Sequence, residues 1–147
     1  MVILVDTNVI LDFLISRKPF SDTSENVLRL IIEGKCKGFI AAHRVTNIFY
    51  ILRKSFSAAE RKKMLIKLCE FVEIAGVQKK QIINALLNEE FADLEDRLQV
   101  ECALSVNADY IVTRNIIDFQ SSPIMAIQPE DFLVMINKEQ GKENRKK

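Results

Sequence analysis

The chain has 147 residues, of which 48% are hydrophobic and 28% charged, with four glycines, three prolines and no tryptophan. That length suits one domain with a real core, and the composition excludes wholesale disorder, collagen-like repeats and coiled coil. Lysine plus arginine total 21 against 20 acidic residues, a net charge of +1, so any grip on nucleic acid must come from a local patch.

Taken in chain order, Val2-Ile-Leu-Val5 is a β-branched apolar run that reads as a strand buried on both faces. Asp6, Thr7 and Asn8 stop it and supply helix-capping chemistry. Residues 9–16 then read as an apolar helix ended by Arg17-Lys18-Pro19. Ser21 or Asp22 caps a second helix, with Val27, Leu28, Ile31 and Ile32 on one face and Gly34 closing it. Residues 38–42 form a short second strand, and 43–56 a helix that buries Val45, Ile48, Phe49 and Leu52. Ser57-Ala-Ala-Glu60 is a capping box opening a helix through Phe71. A third strand at 72–76, a helix at 79–88, a helix at 93–106 and a strand at 110–113 follow. A fifth strand at 123–127 leads into a last helix opened by Gln128-Pro-Glu-Asp.

Strands alternating with helices define an α/β fold. The expectation is a three-layer α/β/α sandwich around a central parallel sheet of four to five strands, with Val2–Val5 in the middle beside the strand at 110–113. Residues 1–137 form a single domain and 138–147 a charged, solvated tail. Three evenly spaced cysteines without a CxxC pair suit a reduced interior, and a lone histidine cannot found a zinc site. No apolar run reaches the ~20 residues of a membrane span and no leader pattern opens the chain, which points to a cytoplasmic protein.

In parallel α/β sheets the working crevice lies beyond the carboxyl ends of the strands. Asp6 follows the first strand. Thr113, Arg114, Asn115 and Asp118 follow the fourth, and the helix feeding that strand opens with Asp93, Glu95 and Asp96. Asp93 and Asp96 share one helix face. Carboxylates gathered at one sheet end repel unless a cation sits among them, and oxygen-only donors suit Mg²⁺ or Mn²⁺. Each residue also has a plainer reading: Asp6 and Asp93 as helix caps, Asp118 as a loop residue, Glu95 as solvated. On the middle helix His43, Asn47, Tyr50 and Lys54 recur on a second, polar face, which also reads as a solvated stripe.

These residues together resemble the PIN-domain family of metal-dependent ribonucleases. The likeness rests on Val5-Asp-Thr-Asn-Val-Ile-Leu-Asp12, on Leu94-Glu-Asp-Arg-Leu-Gln99 and on Ala108-Asp-Tyr-Ile-Val-Thr-Arg-Asn-Ile-Ile-Asp-Phe119, in order and on the expected elements. The resemblance implies that Asp6, Asp96 and Asp118 ligate one or two Mg²⁺ or Mn²⁺ ions, with Asp93 as a further catalytic acid and Thr113 as a hydroxyl neighbour. It implies hydrolysis of phosphodiester bonds in single-stranded RNA, self-association into a dimer, and an antitoxin protein as partner. Helices such as 21–33 and 42–56 are candidates for an interface. Two positions depart from the family: Asn47 stands where a glutamate is usual, and Asn115 where many members have aspartate. Two amides in place of carboxylates lower the ligand charge, and with it affinity for a hard cation.

Under this reading the ion lowers the pKa of a bound water and neutralises a phosphate oxygen, while Arg114, Arg44 and Lys54 steer the RNA backbone. The same three cations also read as ordinary surface charge. A haloacid-dehalogenase-type phosphatase would need an aspartate at Asn8, and a response-regulator receiver needs an acidic pair and a phosphoacceptor that are missing. The rival is a binding module on the same scaffold, holding RNA or a protein, which the amides at 47 and 115 favour.

Overall fold

The computed structural model describes residues 1–147. Its strands are β1 (Val2–Val5), β2 (Lys37–Ala41), β3 (Glu73–Ala75), β4 (Tyr110–Val112) and β5 (Met125–Ile127). All pairings are parallel and the order is β3-β2-β1-β4-β5, so β1 lies at the centre. Ile3, Leu4 and Val5 are fully buried because the sheet is covered on both sides, the condition under which a strand needs no polar face. The helices are α1 (Thr7–Leu14), α2 (Ser21–Ile32), α3 (Ala42–Ile51), α4 (Ala58–Leu68), α5 (Lys79–Leu87), α6 (Leu94–Ser105) and α7 (Pro129–Arg145).

The pleat divides the core into two. Ile3, Val5 and Val112 point to one face and pack with Ile10, Leu28, Ile48, Leu68 and Phe132, from α1, α2, α3, α4 and α7. Leu4 and Ile111 point to the other, against Val100, Cys102 and Ala103 of α6 and Phe119. This is the three-layer α/β/α arrangement, produced by side chains that alternate across each strand. From β1 the chain winds outward through β2 to β3, then crosses to β4 and β5 on the other side. The order therefore switches between β1 and β4, and the crevice of such a sheet opens at their carboxyl ends.

Local chemistry explains the boundaries. Ser57 and Glu60 form the expected capping box at the start of α4. Gln78 and Gln81 form a second one at α5. Gly34, at φ 71°, closes α2: its N–H reaches the Ile31 carbonyl and that of Lys35 the Leu30 carbonyl. That left-handed turn is cheap only for glycine. The middle helix runs from Ala42 only to Ile51 and tightens into a 3-10 turn over Leu52–Lys54, which carries Lys54 to the surface.

Some expectations give way. The tail expected at 138–147 continues α7 as far as Arg145, its residues nearly all exposed. Pro129 at the first turn and a run of good helix formers carry it on. Cys36 and Cys102 are buried and burial pushes their thiols up to about 11, whereas Cys69 is exposed. On α2, Val27, Leu28 and Ile31 are core and Ile32 stays exposed, as do Tyr50 and Ile51 on the middle helix, while α5 exposes Ile82, Ile83, Leu86 and Leu87 together. No helix is long and apolar enough to cross a membrane.

Gly38 of β2 is where α2 approaches the sheet most closely. A Cβ there would lie 2.3 Å from Cδ1 and 3.0 Å from Cγ1 of Ile31. Gly38→Ala is expected to lower stability by about 1–3 kcal/mol through overpacking, and Ile31→Val in the same chain to recover part of it. Urea unfolding of the two variants checks this; an unchanged midpoint for Gly38→Ala would contradict the close approach.

Candidate active site

Asp6 ends β1 and caps α1, and its backbone N–H donates to the Val112 carbonyl at 3.0 Å across the switch point. Its carboxylate, only 6% exposed, is surrounded by donors. Oδ1 accepts from the Thr7 N–H at 2.7 Å and from Gln99 Nε2 at 2.9 Å. Oδ2 accepts from Thr113 Oγ1 at 2.8 Å and, more weakly, from Asn8 Nδ2 at 3.3 Å. A carboxylate has about four lone-pair positions, and all four are engaged. Thr113, fully buried, also accepts from the Asn115 N–H at 3.0 Å, which fixes the chain as it leaves β4.

The N-terminus of α6 lies at the same edge. Asp93 caps it, its Oδ1 accepting from the Asp96 N–H at 2.9 Å. Asp93 caps the helix and still faces the cavity: Asp93, Asp96 and Asp118 together line a volume of about 250 Å³, with Phe91 and Ile117 also in its wall. Asp118 comes from a 3-10 turn, Ile116–Phe119, held down by buried Phe119. That turn escapes the helix and strand periodicities, and only Phe119 hints at it.

Asp96 feels this convergence. Its carboxyl is raised from 3.8 to about 6, first by burial and then by the charge of Asp93; Arg44 pulls it down, while Asp6 and Asp118 push it up further. Arg44, in the first turn of α3, donates Nη2 to Asp96 Oδ1 and Nη1 to Glu95 Oε2, each at 2.8 Å. Glu95 is therefore paired and not simply solvated. His43 Nε2 sits 3.1 Å from the Glu95 carbonyl oxygen, and burial lowers its pKa. Asn47 lies one turn beyond Arg44 on α3, half-buried, and Asn115 and Asp118 are exposed.

Arg114 does not extend freely into the crevice. Its Nε and Nη2 reach Asp12 at 2.6 and 3.1 Å, and its guanidinium stacks 3.9 Å from the Phe20 ring. Asp12, fully buried, also pairs with Arg17 at 3.2 Å. Of the three cations expected to steer RNA, Lys54 alone is without an ion pair.

Residues missed by sequence reasoning are Gln99 and Asp12. Gln99 is completely buried on α6, one turn from Asp96; its Nε2 holds Asp6 while its Oε1 has no partner. A glutamine in the otherwise apolar Leu98-Gln99-Val100 was the available signal, because a buried amide needs a reason.

The donors are all oxygen, they share one edge, and burial followed by repulsion raises one carboxyl, a chemistry that fits a hard divalent cation. As the side chains stand, no three acidic groups are close enough together to share one ion. Asp6 is saturated by hydrogen bonds and Asp96 is held by Arg44, so an ion enters only as these partners give way.

A family model described as the PIN domain matches residues 2–117, and the chain belongs to the PIN-domain family. PIN-domain nucleases generally use divalent metal ions. Among solved structures the fold is similar to VapBC2 from Rickettsia felis bound to a DNA fragment from their promoter, at 20% identity and TM-score 0.66 over 87% of this chain and 98% of that one. It is similar to a toxin–antitoxin complex from Klebsiella pneumoniae, at 19% identity and TM-score 0.64 over 86% and 96%. A third is VapC20 from Mycobacterium tuberculosis, a sarcin–ricin loop cleaving toxin, at 13% identity and TM-score 0.65 over 86% and 99%. At these identities the likeness is one of fold. No curated protein matches the sequence.

The raised Asp96 carboxyl has a consequence for stability. The folded chain holds this proton more tightly than the unfolded one, so Asp96 makes stability fall as pH rises from about 4 to about 6, with no further change above. Without divalent ions, Asp96→Asn should melt above the parent at about pH 8, and the difference should close near pH 4, where both side chains are neutral. A variant less stable than the parent at both pH values would refute the penalty that burial and neighbouring charge place on the ionised Asp96.

Proposed function

We propose that this chain is a Mg²⁺- or Mn²⁺-dependent endoribonuclease that hydrolyses phosphodiester bonds of single-stranded RNA, acting in the cytoplasm as the toxin of a toxin–antitoxin pair. What supports the reading most is that Asp93, Asp96 and Asp118 line one cavity at the sheet edge where Asp6 ends β1, with an elevated carboxyl at Asp96. The description of one fold relative as a sarcin–ricin loop cleaving toxin, and of another as a toxin–antitoxin complex, supports substrate class and partner.

Asp6, Asp96 and Asp118 would hold the ion, with Asp93 beside them. The bound cation supplies Lewis-acid polarisation of a phosphate oxygen and a water of lowered pKa. Thr113, Gln99 and Asn8 hold the Asp6 carboxylate in one orientation, so the ligand is preorganised before substrate arrives. Asp93 fixes the first turn of α6 and with it the position of Asp96. Lys54 offers its free charge to the RNA backbone; Arg114 and Arg44 contribute only as their ion pairs loosen. Asn115 and Asn47 bring polarity without charge. A homodimer and the antitoxin belong to the same proposal, and exposed α5 is the apolar surface available for a partner to cover.

Incubation of the purified chain with single-stranded RNA in Mn²⁺, in Mg²⁺ and in chelator tests this. Cleavage is expected in Mn²⁺ and in about millimolar Mg²⁺, to be abolished by chelator and by Asp6→Asn, and Asn47→Glu is expected to tighten metal binding by about tenfold. A second reading, a binding module for RNA or protein, draws support from the saturated Asp6 and the paired Asp96. It expects no cleavage in any divalent ion, binding indifferent to chelator, and Asp6→Asn tolerated. RNA left intact in Mn²⁺ by the parent, with activity gained by Asn47→Glu, would decide against the enzyme.

A further inference from the structure

We infer that Arg44 is a built-in counter-cation of this site: it holds Asp96 where a divalent ion would, and binding of the ion requires its guanidinium to leave Asp96. The inference rests on the reading of Asp6, Asp96 and Asp118 as a divalent-ion site and adds a competitor that belongs to the chain itself.

The geometry is that of a fixed fork. Arg44 follows the end of β2 by three residues, so α3 starts at the carboxyl edge of the sheet and delivers its first turn to the N-terminus of α6. One guanidinium nitrogen serves Asp96 and the other Glu95, both at 2.8 Å. The Arg44 side chain is 13% exposed and that of Asp96 18%, so the pair is largely shielded from water and from salt screening. Arg44 Nε is buried without a partner. A guanidinium that leaves one donor unsatisfied to keep two carboxylates is held by charge more than by hydrogen-bond completeness.

Charge balance points the same way. Of the charges acting on Asp96, Arg44 alone favours its ionised form, while Asp93, Asp6 and Asp118 all oppose it. An ion at Asp96 would do what Arg44 now does, and two cations on one carboxylate repel. That no three acidic groups currently converge on a shared point accords with Asp96 being held toward α3. Glu95, 56% exposed, takes the second arm of the fork, but a pair so open to water holds the guanidinium only weakly once Asp96 lets go.

Mn²⁺ binding to the full chain, followed by isothermal titration calorimetry at about pH 8, where Asp96 is ionised, tests the competition without reference to activity. Arg44→Gln, which removes the charge, is expected to bind Mn²⁺ about tenfold more tightly than the parent, and Arg44→Lys, which keeps the charge but not the fork, to fall between. Melting curves of the metal-free variants establish that each is folded. Should Arg44→Gln not fold, the parent answers alone: the Arg44 guanidinium, read by ¹⁵N-detected NMR and assigned by its loss in Arg44→Lys, should show hindered rotation without metal and free rotation at saturating Mg²⁺. Equal or weaker binding by a folded Arg44→Gln, or hindered rotation persisting at saturation, overturns the inference and leaves the metal site standing. If neither parent nor Arg44→Gln binds Mn²⁺, the metal-site reading falls, and this one with it.

Discussion

The Asp6 carboxylate is the joint on which the functional end of this molecule depends. Within one side chain's reach it engages the first N–H of α1, the amide of Gln99 on α6 and the hydroxyl of Thr113 at the end of β4. Strand, two helices and the neighbouring strand are thus tied at the point where strand order switches. A negative charge that is only 6% exposed is tolerable there because four donors and the N-terminal dipole of α1 replace the water it has lost. The same saturation shapes the chemistry. A carboxylate gripped this firmly is fixed in orientation, and it could accept a cation only if one donor retreated; the 3.3 Å contact from Asn8 is the weakest of the four.

Around that joint the site is short of positive charge. Asp93 and Asp96 enter with α6 and Asp118 with the turn after β4, and only Arg44 reaches into the group. The raised Asp96 carboxyl records its burial first and this imbalance second. Arg114, which the sequence places one residue after Thr113, is drawn away by Asp12 and Phe20 into a separate buried ion cluster. The edge of the sheet is thereby sorted into a cation-poor crevice and a neutralised flank. That sorting, more than the count of aspartates, leaves the crevice short of positive charge.

Much of this was open to reading from residues alone, for reasons that differ by element. The central strand is legible in four consecutive β-branched or aliphatic residues bounded by Asp6, because only a strand covered on both faces tolerates such a run. The α4 start is legible in Ser57 and Glu60, since a capping box is a local device. The turn at Ile116–Phe119 was not, as a single 3-10 turn is too short to show a period. Nor was the continuation of α7 to Arg145: a charged segment without apolar residues signals solvation but leaves helicity open.

What the sequence by itself determined is the class of fold and which polar residues gather at one end of the sheet. Period-two and helical patterns, with caps at the expected places, specify alternating strands and helices, and a parallel sheet then places Asp6, Asp93, Asp96, Thr113 and Asp118 at one edge. What only the tertiary structure decided is which groups pair. Arg44 and Asp96 are 52 residues apart, Gln99 and Asp6 93. No local rule selects those partners, because hydrogen bonds and ion pairs depend on distances of a few ångströms that exist only once α3, α6 and β1 have packed together. Chain order thus identified the carboxylates, and packing determined which of them stand free and which are already held.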